Sequence, residues 1–128
     1  MKIFILLAMI FLHIFDDFYL QGPLAKLKQR SWWQENYPDA LYCNDWKVAL
    51  VEHAFSWTFM MMLPLMLRII IIGDYSQVYL YAGMFAANVG IHAYVDHLKA
   101  NEKTASLVSD QVMHIAQVVW TWLTIVVV

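Results

Sequence analysis

The chain has 128 residues, of which 62% are hydrophobic and 14% are charged, and its formal net charge is −2 at pH 7. Soluble domains are nearer half apolar and a quarter charged, so the composition predicts a single integral membrane domain, residues 1–128. The charge balance gives no electrostatic case for a nucleic acid as partner, and the single cysteine, Cys43, excludes an internal disulfide framework.

The first apolar segment, roughly residues 3–21, has the length of about 20 residues that a transmembrane helix needs. Lys2 and the apolar run after it resemble a signal peptide, but no small-residue cleavage pattern follows, so we expect the segment to be retained. It ends in "HIFDDFYLQ", whose polar side chains are His13, Asp16, Asp17 and Gln21. In a helix these side chains share one face, and ionisable groups inside a membrane helix indicate a functional site.

Residues 22–45 form the one extended polar stretch of the sequence. Its basic residues stand beside Trp32 and Trp33, which is typical of a short amphipathic segment at the lipid headgroups. The basic residues of this stretch and of the predicted loop after the third helix are Lys26, Lys28, Arg30, Lys99 and Lys103. The positive-inside rule therefore places both loops in the cytoplasm and both termini outside.

Three further apolar segments complete a predicted four-transmembrane-helix bundle of the all-α class. They cover roughly residues 47–72, 77–98 and 106–128. His53 lies near the start of the second helix, and His92 and Asp96 lie near the end of the third. Asp110 and His114 open the fourth helix. The four helices would thus bring ionisable side chains into one layer just below the cytoplasmic face.

The third helix has two distinct faces. Its polar stripe consists of Asn88, His92, Asp96 and Lys99. The opposite face carries Gly83, Ala86, Ala87 and Gly90. Small residues let helix backbones approach closely, so this face predicts a close contact with another helix.

The acids of the layer need compensation, because a charged side chain at the middle of a membrane helix costs about 2.5–3.5 kcal/mol and less towards the interface. They are Asp16, Asp17, Glu52, Asp96 and Asp110. Only Lys99, with Lys47 at the border, is placed to compensate them. One or two divalent cations would balance the excess, and His with Asp is ordinary ligation for zinc, manganese or iron. Protonation of one carboxylate is the alternative.

The sequence therefore predicts a metal site with His13, Asp17, His53, His92, Asp96, Asp110 and His114 as ligands. Three His–Asp pairs at a spacing of four residues support it, because each pair can reach a common centre from one helix face. Lys99 at the mouth would neutralise a substrate phosphate, and Gln21 and Gln111 would orient ligands or water. Asp16, next to the ligand Asp17, completes the catalytic candidates.

Each motif also has a structural explanation. The end of the first helix could emerge among the headgroups with ordinary solvated side chains. The His92–Asp96 pair could be a hydrogen bond that only orders the bundle. Asp110 could be a favourable acid in a first helical turn capped by Ser109, and His53 could be an interfacial residue.

These motifs resemble a small bacterial and phage family known as domain of unknown function 3307. The resemblance consists of "H-x-x-x-D-F-x-x-Q" at "HIFDDFYLQ", a histidine matching His53, "H-x-x-x-D-x-x-K" from His92 to Lys99, and "D-Q-x-x-H" from Asp110 to His114. It covers essentially the whole chain and implies four membrane helices in a bacterial inner or cell membrane, without an established activity. By analogy alone, the layout is similar to that of membrane-embedded metal-dependent hydrolases.

Three functions stay open at this point. The first is a membrane-embedded metal-dependent hydrolase that acts on a small amphiphilic or phosphate-bearing substrate at the cytoplasmic face. The second is a proton- or cation-coupled carrier or channel component. The third is a non-enzymatic membrane interaction protein whose His/Asp network only specifies helix pairing. The lipid bilayer is the expected partner in each case, and a homo-oligomer also stays open.

Overall fold

The computed structural model describes residues 1–127, and every regular element in that range is helical, which confirms the all-α class. Helix α1 (Lys2–Phe15) continues as a π-helical segment (Asp16–Leu20). The polar stretch forms the short helices α2 (Leu24–Leu27) and α3 (Arg30–Asn36) and a 3₁₀ turn (Ala40–Tyr42). The remaining long helices are α4 (Asp45–Ile72), α5 (Val78–Ala100) and α6 (Leu107–Trp122), the last extended by a π-helical turn (Leu123–Val127). The predicted end of the fourth span, residue 128, lies outside the described residues.

The four long helices pack in a closed ring. Helix α4 packs against α1 and α5, and α6 packs against α5 and α1. Successive helices run in opposite directions, so the end of α1 meets the starts of α4 and α6 and the end of α5. At the other end of the bundle, the indole of Trp122 donates a hydrogen bond to the carbonyl oxygen of Lys2 at 3.0 Å.

Local signals in the sequence account for the helix ends. Gly73 adopts a left-handed conformation (φ +73°) that closes α4, and its N–H donates to the carbonyl of Ile69 at 2.9 Å. The Ser76 hydroxyl and N–H then donate to Asp74, and these bonds lower the pKa of that exposed carboxyl group. Helix α6 is capped by Ser106, which accepts from the Ser109 N–H at 3.2 Å. The cap is therefore Ser106 and not Ser109, and Asp110 falls in the first turn as expected.

The interior has an apolar half and a polar half. The apolar half contains Met9, Trp57, Met61, Met62, Leu65, Met84, Val118, Ile125 and Val126. The polar half begins at Trp57 and extends to the end of the bundle that α2 and α3 cover. Large apolar side chains also face outward on all four long helices, and Phe4, Phe11, Ile71, Tyr79 and Val108 are each more than half exposed.

Two helical stretches, Lys2–Leu20 and Ala40–Ile72, are long and apolar enough to cross a membrane. Helices α5 and α6 do not meet the same measure, so four spans are not confirmed. Two such helices are compatible with membrane association and equally with a soluble helical protein, since apolar core helices have the same composition.

The small-residue face of α5 makes no close helix contact within residues 1–127. Gly83, Ala86 and Gly90 are exposed. A β-carbon added at Gly83 or Gly90 would meet no atom within 4 Å. The ring packing turns the opposite, polar face of α5 inward instead.

Candidate metal centre

Eight ionisable side chains from the four long helices meet in the polar half of the bundle, and each is at most 7% exposed. They are His13, Asp16 and Asp17 from the end of α1, His53 from α4, His92 and Asp96 from α5, and Asp110 and His114 from α6. We call this set the His/Asp cluster. It contains all seven residues that the sequence predicts as ligands, and depth along each helix explains why they meet.

Asp96 lies at the centre of the His/Asp cluster. Its Oδ2 atom lies 3.2 Å from His53 Nε2 and 3.8 Å from His92 Nε2. Its other oxygen, Oδ1, lies 3.4 Å from His114 Nε2. One carboxylate therefore faces imidazole nitrogens from three helices.

Further donor atoms surround this carboxylate. His53 Nε2 lies 3.4 Å from Asp17 Oδ1 and 3.2 Å from His92 Nε2. His114 Nε2 lies 3.3 Å from Asp110 Oδ1. The His92 and His114 rings stack with their centroids 4.2 Å apart. The nitrogens and oxygens thus converge on a small volume between the helices.

These distances suit a shared metal ion. Ligand atoms held about 2.0–2.2 Å from one zinc ion stand about 3.0–3.6 Å from each other. Three groups have ligand atoms that all lie within 4.8 Å of one another: Asp17–His53–His92, His92–Asp96–His114 and Asp17–Asp110–His114. Among the described residues, Asp110 Oδ1 and both ring nitrogens of His114 have no hydrogen-bond partner. The buried His/Asp groups are therefore compatible with the metal site that the sequence predicts, with every predicted ligand but His13 in one of the three groups.

His13 differs from the other predicted ligands. Its Nδ1 accepts a hydrogen bond from the Trp57 indole at 2.7 Å, so a neutral ring carries its proton on Nε2. Its Nδ1 also lies 3.9 Å from Asp17 Oδ2. His13 belongs to none of the three groups that can share an ion within residues 1–127. It lies beside the donor atoms and not among them.

The predicted catalytic residues contact the ligands from outside. Gln111 donates to Asp17 Oδ2 at 3.0 Å and to Asp110 Oδ2 at 3.2 Å. Gln21 donates to the carbonyl of Asp17 and so steadies the π-helical segment. The Gln111 amide thus holds two carboxylates that face the centre, whereas Gln21 bonds only to the backbone.

Asp16 and Lys99 make similar contacts. Asp16 accepts from the Ser56 hydroxyl at 2.8 Å, and its Oδ2 lies 3.9 Å from His53 Nδ1. At this distance the two atoms form no hydrogen bond, and neither has another partner within residues 1–127. Lys99 donates to Asp110 Oδ2 at 2.7 Å, so its ammonium group already has an anionic partner.

The charge pattern departs from the sequence-based expectation at three residues. Glu52 is exposed and takes no part in the His/Asp cluster, and the Lys47 ammonium lies over the Trp46 ring. Lys28 takes the expected compensating role instead, because its Nζ lies 2.5 Å from Asp96 Oδ2. No periodicity in the sequence could pair α2 with the end of α5.

Trp57 is a second site residue that sequence analysis missed. It is fully buried, and its ring stacks on His92 with centroids 4.1 Å apart. It also belongs to the apolar core, so it separates the His/Asp cluster from the apolar half of the bundle. Its position one turn after His53 is the signal that could have identified it.

A smaller polar network lies beyond the cluster, between α5 and α6. The Asn88 amide donates to Thr121 Oγ1 at 2.9 Å, and the Gln117 amide donates to the Asn88 carbonyl at 2.8 Å. These side chains are buried, and their hydrogen bonds join two helices. They belong to helix pairing, since none of them reaches a donor group of the centre.

Comparison of the chain with family models, curated proteins and solved structures finds no match. The resemblance to domain of unknown function 3307 stays a prediction.

Proposed function

We propose that the protein is a membrane-embedded metal-dependent hydrolase with its catalytic centre in the His/Asp cluster. The observation that carries the proposal is Asp96, whose two oxygens face His53, His92 and His114 at 3.2–3.8 Å. Mixed His and Asp ligation is typical of the metals that activate water in hydrolases.

Charge balance supports a bound cation. The four buried carboxylates of the cluster belong to Asp16, Asp17, Asp96 and Asp110. Two of them pair with ammonium groups, Asp96 with Lys28 and Asp110 with Lys99. Two negative charges are left, and burying unpaired charges is costly. One divalent cation with neutral histidines balances them.

The distribution of apolar side chains supports a membrane setting. The long helices present large apolar groups outward and keep His, Asp, Asn and Gln side chains inside, which favours lipid as the surroundings. Mean hydropathy counts a residue whichever way it faces, and α5 and α6 contribute most of the inward polar groups. We therefore infer that all four long helices span the bilayer, with the cluster near the cytoplasmic face.

The chemistry follows from the surroundings of the centre. A bound zinc, manganese or iron ion supplies a water of lowered pKa and polarises the scissile group. Gln111 holds the carboxylates of Asp17 and Asp110 in place. Asp16 faces His53 Nδ1 at 3.9 Å as a further acid beside the centre, and Trp57 excludes water from the apolar side. Lys99, at the edge of the cluster, stabilises negative charge on the substrate.

Elemental analysis of the 128-residue chain, purified in mild detergent, tests the proposal. We expect about one zinc, manganese or iron ion per chain, removable by a chelator together with hydrolysis of 4-nitrophenyl phosphate. Asp17→Ala and His114→Ala should lose both the ion and the activity. Glu52→Gln is the matched control, because Glu52 is an exposed acid next to His53. A folded wild-type protein that binds none of the three metals would contradict the proposal.

One observation favours the non-enzymatic alternative. The ion pairs Lys28–Asp96 and Lys99–Asp110 join separate helical elements and so can serve helix pairing alone. On this alternative, substitutions in the cluster lower the melting temperature and leave metal content and hydrolysis unaffected. A carrier is less favoured, since the buried polar side chains beyond Trp57 bond to one another within a mainly apolar core.

A further inference from the structure

We propose that a cavity beside Asp96 binds the phosphate group of a phosphate monoester, an inference that rests on the proposed function for its place in catalysis. The cavity has a volume of about 290 Å³, near the lower end for ligand sites. The polar side chains that line it are Gln21, Lys28, Gln29, Asp96, Lys99 and Lys103. Three lysines and one aspartate thus line one cavity.

The walls of this cavity are fastened to each other. Asn101, in the loop after α5, donates through its amide to the Lys28 carbonyl at 3.1 Å and accepts from the Arg30 N–H at 2.7 Å. Both bonds cross between segments 71 or more residues apart in the sequence. These bonds therefore join the segment that carries Lys28, just after α2, to the α5–α6 loop that carries Lys103.

The cavity leads directly to the His/Asp cluster. Lys28 Nζ contacts the same Asp96 oxygen that lies 3.2 Å from His53 Nε2. Lys99 contacts Asp110, which lies 3.3 Å from His114 Nε2. An anion held by these two lysines would stand next to the donor atoms of the centre.

Metal binding would make the cavity more attractive to an anion. A divalent cation held by the His92–Asp96–His114 group would add two positive charges beside the three lysines that line the cavity. A phosphate monoester carries about −1.5 to −2 charges at pH 7, which matches them, and charge-assisted hydrogen bonds to Lys are strong.

Calorimetric titration of the metal-loaded protein with inorganic phosphate and glycerol 3-phosphate tests the inference. We expect Lys99→Gln and Lys103→Gln each to raise the Kd for both probes about tenfold. Lys26→Gln is the matched control. Lys26 lies on α2, two residues before Lys28, but lines a different groove with Pro23 and Trp32. Unchanged binding in both variants, or equal weakening in the control, would overturn the inference.

Reconstituted protein distinguishes a lipid headgroup from a free phosphate. In phosphatidylcholine vesicles that contain phosphatidic acid, a headgroup in the cavity should displace inorganic phosphate, whereas phosphatidylglycerol, a diester, should not. Equal phosphate binding in both vesicles assigns the cavity to a free monoester. Either result supports the phosphate site, provided that Lys99→Gln and Lys103→Gln weaken the binding measured.

Metal content separates this inference from the proposed function. If the protein holds no metal but binds phosphate through its lysines, the phosphate site is supported and the metal-dependent hydrolase is contradicted. If the protein retains its metal but binds neither phosphate probe, the phosphate site is contradicted and the metal centre is still supported.

Discussion

Asp96 shows how one residue can connect the charge balance of the bundle to its candidate chemistry. Its carboxylate faces three histidines and forms an ion pair with Lys28. The Asp96 side chain is only 3% exposed. The sequence predicts Asp96 as a ligand, because it stands four residues after His92 on the polar stripe. The Lys28 pairing could not be predicted, since the partners are 68 residues apart and their approach depends on how α2 folds over the bundle.

At this scale we predict a strong coupling between Lys28 and Asp96. Asp96→Asn should lower the free energy of unfolding by about 3–5 kcal/mol, because it leaves the nearly buried Lys28 ammonium without its anion. Adding Lys28→Met should recover part of this lost stability. Denaturant unfolding, monitored by circular dichroism, of the wild type, both single variants and the double variant measures this double-mutant cycle. Strictly additive effects of the two substitutions would show that the ion pair contributes nothing.

Among the elements, the long helices follow closely from the sequence, and the segments between them do not. Length and apolar composition predict each described end of the four helices within about two residues. The π-helical segment at Asp16–Leu20 carries no comparable signal. Within it, the adjacent residues Asp16 and Asp17 are both buried.

The pairing of α5 with α6 gives a prediction that separates helix packing from the metal centre. Asn88→Ala should lower the free energy of unfolding by about 1–3 kcal/mol, since it removes the amide that bonds Thr121 within the bundle. Metal content should stay at the wild-type level. Loss of metal in a folded Asn88→Ala protein would mean that the polar stripe acts as a single unit from Asn88 to Asp96.

For the molecule as a whole, the proposal to be tested is that all four long helices cross a membrane. Hydropathy alone identifies two, and the outward apolar surface of α5 and α6 supports four. Depth along the helices was enough to predict that the polar groups share one end of the bundle. It could not give the ring order of the helices, because side-chain periodicity leaves the choice of neighbours undetermined.

The single exposed cysteine makes the topology measurable. With four spans, a membrane-impermeant thiol reagent should label Cys43 from the cytoplasmic side only. In a Cys43→Ser background, Thr104→Cys should be labelled from that same side and Ser76→Cys from the opposite side. If only α1 and α4 cross the bilayer, Thr104→Cys is instead labelled together with Ser76→Cys.

The Trp57 ring has a consequence for how solutes move. Because it lies over His92 and packs with methionine and leucine side chains, the indole would have to move aside before a solute could pass from the histidines towards the far end of the bundle. For the hydrolase that we propose, reactant and product would then enter and leave on the same side of the lipid.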